Sequence, residues 1–205
     1  DWLVEHRITT AAMESTGNYW ITLYDKLTAA GIEVYLVNAR HVKAVPGRKT
    51  DVADAQWLAS LARAGLLRAS FIAKADLRSL RHIARHRQKL GGMLASEKNR
   101  LHKLLTDAGI RLGVVVSDLH GQSARAMVKA LIAGKTVPEV LELASNRLRA
   151  SRQDIFEALQ AEDITPAHRF VLAEIMAHIE ELEARIARFD AQLLRSLRGA
   201  GYGAS

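Results

Sequence analysis

No cysteine occurs in the chain. Disulfides and thiolate metal sites are therefore both excluded. Any metal chemistry has to use hard ligands, carboxylate oxygens around Mg²⁺ or Mn²⁺. No apolar run approaches the roughly 20 residues of a membrane span, and no signal-peptide pattern opens the sequence. A cytoplasmic location is the default expectation. Two motifs stop short of their chemistry. GRKT (47–50) lacks the second glycine of a phosphate-binding GxxxxGK[ST] loop, so nucleotide hydrolysis by that route is discarded. HIARH (82–86) spaces two histidines as i,i+4 without the glutamate of HExxH, so zinc is not expected there.

What is present is a basic, foldable chain. At 205 residues and 49% hydrophobic content it can form one sizeable core, or a small domain with a helical appendage. Its formal charge is +7, from 29 Lys+Arg against 22 Asp+Glu. Such a balance favours a polyanionic partner, because neutralised phosphates release their counterions. The chain opens at Asp1 with DWLVEH, which looks like a helix end, and reads as a fragment.

The first seventy residues alternate strand and helix signals. Residues 8–13 (ITTAAM) are β-prone, 18–30 (NYWITLYDKLTAA) read as a helix closed by Gly31, and 32–37 (IEVYLV) as a second strand. This is a βαβ unit, which implies a parallel sheet with a right-handed crossover. A basic loop (38–50) follows, then a helix over 51–64 ending at Gly65. From residue 76 the pattern is helical. Residues 76–107 carry apolar positions at helical spacing, interrupted by Gly91–Gly92, which can kink the helix. Shorter helical stretches follow in 108–164. Leu172, Ile175, Ile179, Leu182, Ile186, Phe189 and Leu193 then alternate spacings of three and four, an a/d seam over three heptads. The two long helices are expected to pair as an antiparallel hairpin or to join a second subunit. The alternative is a plain amphipathic core helix. The tail RGAGYGAS reads as disordered. The resulting division is 1–72, 73–198 and 199–205.

The candidate chemistry lies at one edge of the expected sheet. Ligands of open parallel sheets bind beyond the carboxyl ends of the strands, and Glu14 stands at such an end. Asp51 and Asp54, three apart on a helix, share a face. Acidic residues in a first turn also stabilise the helix dipole, and Thr50 or Asp51 is a good N-cap, so capping and metal binding both remain open for them. Three converging carboxylates would suit one or two hard divalent ions for phosphodiester cleavage. Arg40, His41, Lys43, Arg48, Lys49 and Arg63 surround these acids in sequence. They read either as a phosphate-holding rim or as a solvated loop. Along 76–107, Arg78, Arg81, Arg85, Arg87, Lys89, Lys98, Arg100 and Lys103 oppose only three acids. That is a candidate backbone-contacting stripe, or a solvated face. The charges of the last helix (Glu180, Glu181, Glu183, Arg185, Arg188, Asp190) are balanced, which fits a protein–protein seam.

AAMESTGNYW, LVNARHVKAVPGRKTDVADAQWLA and SDLHGQSARAMVKALIAG together closely resemble the insertion-sequence-110 family of DEDD transposases, which are described as bridge-RNA-guided recombinases and are related to the Piv DNA invertases. The likeness covers residues 1–196. It implies a RuvC-like, ribonuclease-H-type N-terminal domain with four metal-binding acids in the order D, E, D, D. The E falls on Glu14 and the last two D on Asp51 and Asp54. The first D belongs to a strand upstream of Asp1, which is not that residue. The long helices resemble the family's coiled-coil linker, implying dimerisation and nucleic-acid contact. Family members continue into a domain with a nucleophilic serine. Ser151, Ser196 and Ser205 have no matching surroundings, so none receives that role.

The expectation is therefore an α/β N-terminal part, an incomplete RuvC-like parallel sheet, followed by a mainly α-helical coiled-coil region. The function expected is that of a metal-dependent transposase or recombinase acting on DNA, with Mg²⁺ or Mn²⁺ on Glu14, Asp51 and Asp54. Arg40, Lys43, Arg48, Lys49, Arg81, Arg85 and Arg87 are the expected nucleic-acid contacts. A guide RNA and self-association are expected partners, and this segment alone is expected not to transpose DNA. The rival readings are a non-catalytic nucleic-acid-binding and dimerisation module, and a RuvC-type junction nuclease.

Overall fold

The structure, a computed structural model, describes residues 2–38, 51–160, 164–199 and 201, with side chains described from residue 54 onward in the second of these spans. The chain divides into two compact units, 1–74 and 75–205.

In the first unit, α1 (Trp2–Glu5) precedes β1 (Thr10–Glu14), α2 (Trp20–Ala29), β2 (Glu33–Val37) and α3 (Asp51–Arg63). The two strands pair in parallel, with Thr10 opposite Glu33 and Glu14 opposite Val37. The expected βαβ unit is thus present, with β1 placed over residues 10–14 rather than 8–13. Glycine decides where two of its helices stop. Gly31 and Gly65 adopt φ of 78° and 66°, a left-handed conformation that costs a side-chain-bearing residue energy. At each, the chain makes the paired hydrogen bonds of a Schellman end. Ile32 N–H donates to Leu27 O and Gly31 N–H to Thr28 O; Leu66 N–H donates to Leu61 O and Gly65 N–H to Ala62 O. Leu27, Ile32, Leu36 and Val37 are buried with Leu58 and Leu61 of α3. Burying these apolar side chains fixes which faces of α2, α3 and the sheet point inward.

Among the described residues the sheet has two strands. The outer side of β2 is met at one point, where the Ser70 N–H donates to Leu36 O at 2.7 Å. The outer side of β1 has no described strand beside it.

In the second unit, α4 (Ala75–Asp107) and α9 (Pro166–Gly199) are long helices, and α5 (Leu112–Val115), α6 (Gln122–Ile132), α7 (Val137–Leu141) and α8 (Arg152–Leu159) lie between them in sequence. At 1.5 Å per residue α4 is about 50 Å long. It continues through Gly91–Gly92 without a break in its helical assignment. The starts of the later helices are written in their caps. Thr165 Oγ1 accepts the His168 N–H at 3.1 Å ahead of Pro166, and Ser151 and Asp154 exchange capping bonds at the start of α8.

The core of this unit joins Leu101 and Leu105 of α4, Leu112 of α5, Met127 and Val128 of α6, Ile155 and Leu159 of α8, and Leu172, Ile175 and Ile179 of α9. The long helices run antiparallel, since Arg87 meets Asp190, Lys98 meets Glu183 and Asp107 meets His168. The apolar seam of α9 divides in two. Leu172, Ile175, Met176, Ile179 and Leu182 are buried, whereas Ile186, Phe189 and Leu193 are half-buried. The first half joins the core shared by α4 and α6, while Phe189 and Asp190 in the second half meet His86 and Arg87 of α4. A helix with partners on two sides buries a wider stripe than one in a pair.

Candidate functional site

Glu14 is the last residue of β1, half-buried and opposite Val37. Its position is fixed twice over. The Ser15 N–H that follows donates to Val37 O at 2.9 Å, and the Thr16 hydroxyl donates to Glu14 Oε1 at 2.8 Å. The second bond holds the carboxylate from one side and leaves its other oxygen without a described donor. Neither the chain order nor the strand pattern pointed to Thr16; the clue lies in STG immediately after the acid, where a hydroxyl two residues on can fold back.

Asp51 opens α3 and its side chain lies outside the described residues. Asp54, in the first turn, is exposed. One turn after Asp51, Ala55 begins the lining of a cleft of about 550 Å³ between α3 and the sheet. The cleft continues past Ala59, Ala62 and Arg63 to Gly65 and Leu67, with Thr10 and Ala12 of β1 and Glu33 and Tyr35 of β2 opposite. The alanines leave this space because they are too small to fill it. Glu33 stands beside the Tyr35 hydroxyl and raises its pKa by charge and hydrogen bonding. Among the described residues no group of three or more histidines, aspartates or glutamates is close enough to hold a metal ion. The donor set is chemically suited to one, since Glu14 and Asp54 offer only hard oxygens. Arg40, Lys43, Arg48 and Lys49 lie outside the described residues.

The basic stripe of α4 separates into two kinds of residue. Arg81 and Arg85 are exposed. Arg87 is instead bound to Asp190 in a two-pronged pair, Nε to Oδ1 at 2.8 Å and Nη2 to Oδ2 at 3.1 Å. The pair raises the guanidinium pKa and lowers that of the carboxyl, in both cases chiefly through the hydrogen bonds. The acids of α9 are similarly engaged. Glu183 accepts from Arg125 through both oxygens at 2.8 Å and lies 3.3 Å from Lys98; Glu180 pairs with Lys129. These partners on α6 were not singled out from the sequence, because pairs 58 or 51 residues apart leave no local pattern.

The sequence profile of the insertion-sequence-110 DEDD family, described as "Transposase", matches residues 1–110. The chain belongs to the insertion-sequence-110 family of DEDD transposases. The match takes in all of the first unit and the whole of α4, and so includes Glu14, Asp51, Asp54 and the basic stripe. No curated protein matches the chain. Membership in this transposase family carries a role in DNA transposition, and with it DNA as partner. No helix among the described residues is long and apolar enough to cross a membrane.

Proposed function

We propose that the first unit of this transposase carries part of a metal-dependent phosphodiester-cleaving site, in which Glu14, Asp51 and Asp54 hold Mg²⁺ or Mn²⁺. The observation that carries the reading is the course of α3. From Ala55 to Arg63 it borders the cleft that Thr10 and Ala12 of β1 and Glu33 and Tyr35 of β2 also line. Glu14 ends β1, at the strand end where parallel sheets bind their ligands, and α3 opens at Asp51. A divalent ion bound there supplies positive charge at the scissile phosphate and lowers the pKa of a coordinated water. The Thr16 hydroxyl keeps one oxygen of Glu14 turned to a fixed direction, the role that neighbouring hydrogen-bond donors play for metal-ligating carboxylates.

Arg40, Lys43, Arg48 and Lys49, between β2 and α3 in sequence, hold the nucleic-acid backbone beside these acids. On α4, Arg81 and Arg85 contact phosphates directly, and Arg87 does so only in exchange for Asp190. The half-buried seam of the α4–α9 pair, Ile186, Phe189 and Leu193, supports self-association, and a guide RNA shares the basic surface. One observation favours the rival, a non-catalytic nucleic-acid-binding and dimerisation module: no group of three acids gathers among the described residues. Titration of the chain with Mn²⁺ by calorimetry separates the two. The catalytic reading expects saturable binding that weakens at least tenfold in Glu14→Gln and in Asp51→Asn. Equal heats for parent and variants would leave the binding module as the function.

A further inference from the structure

Tyr19 is 89% exposed, the largest value among the exposed large apolar side chains of the described residues. Exposure alone says little, since Phe71 is 85% exposed. What sets Tyr19 apart is its setting. It closes the STGNY turn that begins at the residue after Glu14, at the carboxyl end of β1. The turn is not slack. Thr16 is tied to Glu14 through its hydroxyl and through its own N–H, which donates to Glu14 O at 3.0 Å. Gly17 takes a φ of 54°, and one edge of the Tyr19 ring comes near it: a Cβ built at Gly17 would stand 3.6 Å from both Cδ2 and Cε2. Tyr19 precedes the first turn of α2 with helical dihedrals, and its side chain makes no capping bond. One edge of the ring thus comes near the turn while most of the ring faces solvent, five residues after the carboxylate proposed to hold the metal.

We infer that Tyr19 is a stacking residue that receives an unpaired base of the nucleic-acid strand positioned at the Glu14 site. This rests on the proposed cleavage reading and adds a substrate preference to it, for single-stranded or locally opened nucleic acid over intact duplex. The chemistry fits. A base exposes its π-face only when unstacked, and aromatic side chains hold such bases without regard to sequence. A phosphodiester held by metal at Glu14 would have a base on either side, and the first aromatic side chain along the chain from Glu14 is Tyr19.

The test is binding of the whole chain, in Mn²⁺, to a labelled 20-nucleotide oligodeoxythymidylate and to a blunt duplex of equal length. The expected result is a loss of about tenfold in single-strand affinity for Tyr19→Ala and Tyr19→Leu. Tyr19→Phe should retain affinity, and duplex binding should be unchanged throughout. A 2-aminopurine placed in the strand should be quenched by the parent and by Tyr19→Phe and not by Tyr19→Leu. Unchanged single-strand affinity in Tyr19→Leu, or equal losses in Tyr19→Phe and Tyr19→Leu, would overturn the stacking role. If Glu14→Gln abolishes Mn²⁺ binding while Tyr19→Leu changes nothing, only the stacking role falls. If the parent chain binds neither Mn²⁺ nor the single strand, both readings fall.

Discussion

Arg87 and Asp190 stand 103 residues apart in the sequence and grip each other through two parallel hydrogen bonds near the outer end of the α4–α9 pair. The pair sits where the apolar seam is only half-buried. It sets the register of the two helices there by geometry, since a guanidinium fork accepts a carboxylate in few orientations. It also withdraws Arg87 from the stripe that Arg81 and Arg85 present to solvent.

The first prediction concerns this competition. Arg81→Ala with Arg85→Ala should flatten the dependence of log Kd on log salt for duplex DNA by about 1.8, the value for two lost phosphate contacts. Arg87→Ala should leave that slope nearly unchanged. Asp190→Asn should steepen it by releasing Arg87. Salt-titrated fluorescence anisotropy reads all three.

Packing gives the second. Leu101 and Ile179 are fully buried where α4, α6 and α9 meet. Truncating either to alanine removes three carbons with little room for collapse, and should cost about 2–5 kcal/mol. Phe170 is 67% exposed on the same helix as Ile179, and Phe170→Ala should shift the urea midpoint little. Denaturant titration followed by circular dichroism makes the comparison.

Acidity should weaken the second unit in two stages. Burial, with Lys98 and Arg125 nearby, holds the His120 pKa below its ordinary 6.5. The unfolded chain therefore takes up this proton first as pH falls, and stability declines below pH 6.5. Glu183 lies below its ordinary 4.5, through the Arg125 hydrogen bonds and then Lys98. A depressed carboxylate contributes stability above its unfolded value and loses it as pH falls through the folded value. The urea midpoint should hold above pH 6.5, decline modestly below it, and decline further below pH 4.5. His120→Gln should remove the first stage, and Glu183→Gln should lower the plateau and blunt the second.

The Thr16 hydroxyl supplies the fourth. Thr16→Val keeps the shape and removes the donor to Glu14 Oε1. If Glu14 is a ligand, Mn²⁺ affinity should fall by about tenfold with the thermal midpoint nearly unchanged. Calorimetric Kd and melting temperature for the same variant give both halves of the test.

Much of the architecture is legible in local pattern. The strand and helix types of the βαβ unit, the stops at Gly31 and Gly65 and the long helix ending at Asp107 all follow from patterns within a few residues. Propensity, capping and left-handed glycine act at short range, so the sequence displays them directly. Gly91–Gly92 reads as a possible kink, yet α4 continues through it. Its neighbour Leu90 is buried and Leu94 packs against the core, and such packing outweighs a cost of about 1 kcal/mol per glycine.

The charges show where local pattern stops informing. Glu180, Glu183 and Asp190 look like a balanced seam awaiting another protein chain, and the fold engages each within its own second unit, with Lys129, Arg125 and Arg87. GRKTDVADAQWL similarly displays its acids and cations while leaving their roles open. By itself the sequence determined the element types, the helix ends, the hard-ligand chemistry imposed by the lack of cysteine, and the family. Only the tertiary structure decided that Arg87 is paired while Arg81 and Arg85 are exposed, that Thr16 holds Glu14, and that the Tyr19 ring stands out in solvent. Pairing of charges and the exposure of a ring depend on which distant surfaces the core brings together, and no local periodicity carries that information.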